Sequence, residues 1–150
     1  MKSTKFTETI IINEAIEQVF DRTQDYENRL DWDPFLISAE LMDGAKAVDK
    51  GVKAYCMAKN NVGMETVYVS FDRPKVAAVT MTKGPYMFKS FSASWRFKEM
   101  GDTQTEVIFV YSFQLRFPFN LFTSLVKSRL RHDVQQRLKG LKGSLETKKK

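Results

Sequence analysis

The stretch DYENRLDWDPFL, residues 25 to 36, sets four carboxylates, Asp25, Glu27, Asp31 and Asp33, around Trp32 and closes with a proline. Paired carboxylates can hold a hard cation or divide the roles of acid and base between them. The spacing argues against both here. Asp31 and Asp33 share a face only in a strand, and in a helix they diverge by about 200°. A calcium loop of the EF-hand type needs a glycine and a distal Glu at fixed offsets, and neither is in place. Glu27, Asp31 and Asp33 fall in a polar turn, so they are expected in solvent, with Trp32 and Phe35 turned inward. No metal site is expected.

The other residues suited to chemistry are few. His132 is the only histidine and would suit acid/base work by its ordinary pKa. It lies between Arg131 and Asp133, off the apolar stripe of its helix, which predicts a solvent-facing side chain. Cys56, the only cysteine, sits among Ala and Met in a strand, where a buried inert thiol is the default. No Ser or Cys has an identifiable base, so no catalytic set is assigned. With one Cys and one His, disulfides and multi-ligand zinc sites are excluded, and no cofactor is expected.

These residues must be positioned by a chain whose pattern changes once. Residues 6 to 12, FTETIII, read as a strand, with Asn13 as N-cap of a helix over 14–24 whose Ile16, Val19 and Phe20 share a face. YENRL is a short second helix, ended before Pro34. Six strands follow, separated by DG, NNVG, RP, GP and MGD, which predicts an antiparallel meander. In the last strand Val107, Phe109, Tyr111, Phe113 and Leu115 alternate with polar residues, and in the one before it Phe91, Ala93, Trp95 and Phe97 do. After Pro118 a helix of up to about 28 residues, roughly 42 Å long at about 1.5 Å per residue, carries a stripe from Phe122 and Leu125 to Leu141 and Leu145. Arg129, Arg131 and Arg137 are placed on its remaining surface. A sheet with one apolar face and a helix with one apolar stripe cover each other, so the sheet is expected to curl around the terminal helix.

Length and composition agree with one domain over residues 1–150, its core at about 5–145 and a basic disordered tail at 146–150. Apolar residues are 43% of the chain and aromatics 13%, enough for a substantial core. The net charge of +6 is local: residues 118–150 carry nine Lys or Arg against two acids, and the rest carries 15 basic and 16 acidic side chains. Without a groove-reading helix or stacking strand this argues against nucleic acid. The first residues lack a secretory h-region and no run approaches about 20 apolar residues, so a cytoplasmic location is expected.

The segment IIINEAIEQVFDRTQDYENRLDWDPF, the hairpin FDRPKVAAV and the hairpin FSASWRFKEMGDTQTEVIFVYSF, followed by the long helix, resemble the START-related helix-grip superfamily, its polyketide cyclase/dehydrase branch most of all. The resemblance runs from about residue 5 to 145. It implies an α+β helix-grip fold: about seven antiparallel strands wrapped around a C-terminal helix, with two short helices between strands 1 and 2. It also implies an apolar cavity for a small hydrophobic or lipid-like ligand, in a carrier, a sensor or a cyclase-type enzyme.

Wall candidates under that resemblance are Trp32, Phe35, Ile37, Val67, Val69, Met81, Phe91, Trp95, Phe109, Tyr111, Phe113, Phe122 and Leu125. Plain core packing is the competing reading for each. Ala54, Cys56, Ala58, Ala77 and Ala93 would leave volume free. Tyr111 is the one candidate for assisting proton transfer; otherwise it is a core tyrosine bonded to the backbone. Lys89 is in phase with Phe91 and Trp95, and either anchors an anion or is released to solvent by a register change. Phe117, Phe119, Leu121 and Phe122 beside Lys127, Arg129 and Arg131 either close the core or touch an anionic membrane.

Overall fold

The computed structural model describes residues 3–147. Strand β1 (Thr4–Ile12) leads to helix α1 (Ile16–Gln24) and a 3-10 turn, Tyr26–Asp31. The meander follows as β2 (Leu36–Leu41), β3 (Lys53–Ala58), β4 (Gly63–Asp72), β5 (Val76–Lys83), β6 (Phe88–Glu99) and β7 (Thr105–Leu115). A second 3-10 turn, Phe119–Phe122, opens helix α2 (Thr123–Thr147). The strands form one sheet in the order β1-β7-β6-β5-β4-β3-β2, each neighbour antiparallel to the next. This is the α+β helix-grip arrangement that the sequence implied.

Alternation explains which face is covered. Along β7, Thr105, Val107, Phe109, Tyr111, Phe113 and Leu115 are buried while the residues between them are half-exposed. Val134, Leu138, Leu141 and Leu145 of α2 belong to the same core cluster as Phe6, Phe97 and Val107. Each such side chain contributes about 1.5–3 kcal/mol on burial. The other half of the helix stripe behaves differently: Val126 and Leu130 are half-buried and Leu125 is 70% exposed. Only the C-terminal half of α2 is packed as core.

Gly140 is what lets α2 approach so closely. A Cβ there would stand 2.2 Å from the carbonyl oxygen of Trp32 and 3.1 Å from Cδ of Pro34. The helix is therefore seated against the turn that holds DYENRLDWDPFL.

Several boundaries differ from the sequence expectation. Helix α1 begins at Ile16, after an extended Ala15, and Asn13 does not cap it. Its side chain instead accepts from Gln104, and its backbone N–H donates to Glu146 of α2. A long-range partner has replaced the local cap. Residues 146 and 147, expected in a disordered tail, continue α2, while 148–150 lie outside the described residues. Among the described residues, no helix is long and apolar enough to cross a membrane.

Candidate functional site

Between the sheet and the N-terminal half of α2 lies a cavity of about 550 Å³. Its aromatic wall comes from Phe91 and Trp95 of β6 and Phe109 and Tyr111 of β7. Small side chains open the space beside them, since Ala58, Ala77 and Ala93 border it. Ala77 pairs across the strands with Trp95 and Ala93 with Tyr111, so small side chains sit beside large ones on the same face of the sheet and leave space that a packed interior would fill.

Of the residues singled out from sequence, Phe35, Phe91, Trp95, Phe109, Tyr111 and Leu125 border this space. Trp32, Met81 and Phe113 lie behind it in or against the core, Trp32 edge-on to Trp95 at 6.2 Å and Phe113 edge-on to Phe88 at 6.0 Å. Ile37, Val67, Val69 and Phe122 are corrections. Ile37 is 45% and Val69 47% exposed, Val69 at a register shift between Tyr68 and Ser70, and Val67 is half-buried outside the cavity lining. In β4 both faces carry apolar residues, so hydrophobicity could not choose between them. Met64, Thr66 and Tyr68 face the cavity instead, and Tyr68 is held there by hydrogen bonds to Tyr26 (2.6 Å) and Gln24 (2.8 Å). In β2 Leu36 turns inward, so Ile37 turns out.

A bulge settles Lys89. The β6 register shifts between Phe88 and Ser90, so Phe88 and Phe91 are both buried and Lys89 is exposed. His132 is also exposed. Cys56 borders the cavity, and burial pushes its thiol pKa up, away from thiolate chemistry. Among the described residues no three His, Cys, Asp or Glu side chains converge as a metal site.

The polar centre of the cavity is built from residues that sequence reasoning placed elsewhere. Asp33, expected in solvent, is 2% exposed. Its Oδ2 accepts from Arg29 Nε at 2.9 Å and from Arg137 Nε at 3.1 Å, and its Oδ1 accepts the backbone N–H of Phe35 at 3.0 Å. Arg137, expected on the helix surface, is 7% exposed and donates from Nη1 to the Tyr111 hydroxyl at 2.7 Å. Arg29 donates from Nη1 to the Thr23 carbonyl at 3.1 Å and lies 4.9 Å from the centre of the Trp32 ring. Tyr111 thus bonds to a guanidinium, not to the backbone.

Burial and charge act against each other in this group. Burial alone would raise the Asp33 pKa, but the Arg137 and Arg29 guanidiniums hold it below the ordinary carboxylate range. Burial would likewise discharge the arginines, yet Asp33 keeps both firmly protonated. The phenols of Tyr26, Tyr68 and Tyr111 are pushed up by burial and stay neutral. The assembly is a fixed set of donors in an apolar wall, the ordinary composition of a small-molecule site.

A signal for Arg137 was present. It stands at i+3 from Val134 and i−4 from Leu141, on the apolar stripe itself, and Arg29 precedes Asp33 by four. A charge inside an apolar stripe marks a buried ion pair more than a surface.

The segment before α2 departs from the core-closing expectation. Phe117 is 74%, Leu121 70% and Phe122 58% exposed, and Phe119 is also exposed. Of the exposed apolar residues in this region only Leu125 borders the cavity, three positions beyond Phe122.

The polyketide cyclase/dehydrase and lipid transport family matches residues 3–146. No curated protein sequence matches the chain. Solved structures do. The chain is similar to a START superfamily protein from Mycobacterium smegmatis (12% identity, 95% of this chain and 97% of that one, TM-score 0.82). It is also similar to the Zhui aromatase/cyclase from Streptomyces (13%, 99% and 96%, 0.83) and to a Thermus thermophilus protein (18%, 98% and 100%, 0.81). At these identities the likeness concerns the fold. The sequence match is what places the protein: this chain belongs to the polyketide cyclase/dehydrase and lipid transport family.

Proposed function

We propose that residues 5–145 act as one domain that takes up a small, mostly apolar molecule beneath α2, for carriage or sensing. The observation that carries this reading is the cavity of about 550 Å³ walled by Phe91, Trp95, Phe109 and Tyr111. Native interiors keep few voids larger than a water molecule, and ligand pockets span about 300–1,000 Å³. Titration with the neutral fluorophore N-phenylnaphthylamine tests it. Saturable binding is expected, weakened at least about tenfold by Trp95→Ala, which removes an aromatic wall, and unchanged by Ile37→Ala on the outer face. Absence of a saturable site would refute it.

An enzymatic version, a cyclase-type reaction in the same cavity, is favoured by one contact. Tyr111 accepts from Arg137, so its own O–H is free to donate to a substrate carbonyl. Tyr111→Phe would then abolish turnover of a polyketide-like substrate while the fluorophore still binds.

The exposed run Phe117 to Leu125, beside Lys127, Arg129 and Arg131, supports a membrane-docking step at the rim. Flotation with anionic and neutral liposomes tests that step. Equal, negligible binding to both would remove it.

A further inference from the structure

The polar end of the cavity has more cations than anions. Arg29 and Arg137 share the single carboxylate of Asp33, so the group carries a net +1. Tyr26, Tyr68, Tyr111 and Cys56 around it are neutral, their pKa values raised by burial. The next carboxylate bordering the cavity, Asp133, pairs with Arg129 at 3.5 Å near the rim.

Hydrogen bonding shows the same imbalance. Two guanidiniums offer about ten N–H groups, and among the described residues these two make four hydrogen bonds. The Tyr111 oxygen accepts from Arg137, which leaves its own O–H available, and no acceptor for that O–H stands among the described residues. Each arginine makes two of these bonds, Arg29 to Asp33 and Thr23 while set over Trp32, and Arg137 to Asp33 and Tyr111. Arg137 is flanked by Phe35 and Phe109, with ring centres 5.1 and 5.6 Å away, and borders the cavity with Tyr111. Two donors of one oxygen acceptor thus stand side by side at the end of an apolar chamber. A buried excess cation is costly in such surroundings unless an anion meets it.

We propose that this end of the cavity receives the carboxylate of an amphipathic acid, with Arg137 and the Tyr111 hydroxyl donating to it and the apolar body lying along α2 toward Leu125. This rests on the cavity being a ligand site. Arg137 lies twelve positions beyond Leu125 along α2, about 18 Å at 1.5 Å per residue, which suits an elongated tail.

Competition against N-phenylnaphthylamine with three dodecyl compounds tests it in the full chain. Dodecanoate is expected to displace the probe at least about tenfold more tightly than dodecanol, as a charge-assisted pair in a buried site should, and dodecyltrimethylammonium is expected to be weakest. Arg137→Met should bring dodecanoate to the level of dodecanol, and Arg137→Lys should restore part of the preference. Equal displacement by dodecanoate and dodecanol in the unaltered protein overturns the carboxylate assignment while leaving the cavity reading standing. Failure of the probe itself to bind overturns both. The wild-type comparison decides the question even where Arg137→Met does not fold.

Discussion

Asp33→Asn tests whether the buried carboxylate is the keystone of the site. In the native protein its two oxygens serve three donors: Arg29 Nε, Arg137 Nε and the Phe35 N–H, at 2.9, 3.1 and 3.0 Å. An amide cannot serve all three. If its oxygen meets the two guanidiniums, its NH2 confronts the Phe35 N–H; if it turns over, its NH2 confronts both arginines. Either orientation leaves a buried donor unsatisfied, and the net charge of the group rises from +1 to +2. Removing one member of a buried ion pair costs about 3–5 kcal/mol, or about 6–20 °C in Tm for a chain of this size. Urea unfolding at neutral pH measures the difference, read as a change in midpoint at constant slope. The pH dependence gives a second reading. The folded-state pKa of Asp33 is lowered, so its contribution is complete above the unfolded value near 3.9 and is lost as pH falls through the lower folded value. Asp33→Asn should flatten the acid limb of stability below about pH 4. Asp31→Asn, at an exposed position two residues away, should change stability by no more than about 0.5 kcal/mol. If Asp33→Asn were as mild as Asp31→Asn, the account of the charged centre would be wrong.

Gly140→Ala should destabilise by about 1–3 kcal/mol, because its Cβ meets the Trp32 carbonyl and α2 must shift. Gly143→Ala, with nothing within 4 Å of the added methyl, should instead stabilise the helix by up to about 1 kcal/mol; thermal unfolding of the two variants separates packing from propensity. Phe117→Ser with Leu121→Ser should leave urea stability within about 0.5 kcal/mol per site, as both are largely exposed, yet reduce flotation with anionic liposomes if the rim docks there. Trp95→Ala should cost about 3–5 kcal/mol as well as weakening the fluorophore, since it also supports Trp32 and Phe109.

The fold was largely legible because its signals are local. Strict alternation along β7 placed Phe109, Tyr111 and Phe113 inward, and short turns between the strands from β3 onward left little choice but a meander there. Alternation failed where both faces of a strand are apolar, as at Val67 and Val69 against Met64 and Tyr68. It also failed where a bulge resets the phase, as at Lys89. The DYENRLDWDPFL stretch was read as a solvated turn closed by an aromatic plug, and half of that is right. Trp32 is buried and Asp31 is exposed, but Asp33 is at the centre.

By itself the sequence determined the order of elements and the inward face of β7, since each follows from the period of one segment, while a cavity was only what the family resemblance implied. Only the tertiary structure decided the charge of the site. Asp33 and Arg137 are 104 residues apart, and although its place in the apolar stripe marks Arg137 as buried and Arg29 stands four residues before Asp33, neither segment shows that Asp33 and Arg137 meet. Their burial becomes tolerable once Gly140 brings α2 against the Trp32 carbonyl and the two charges neutralise each other out of water.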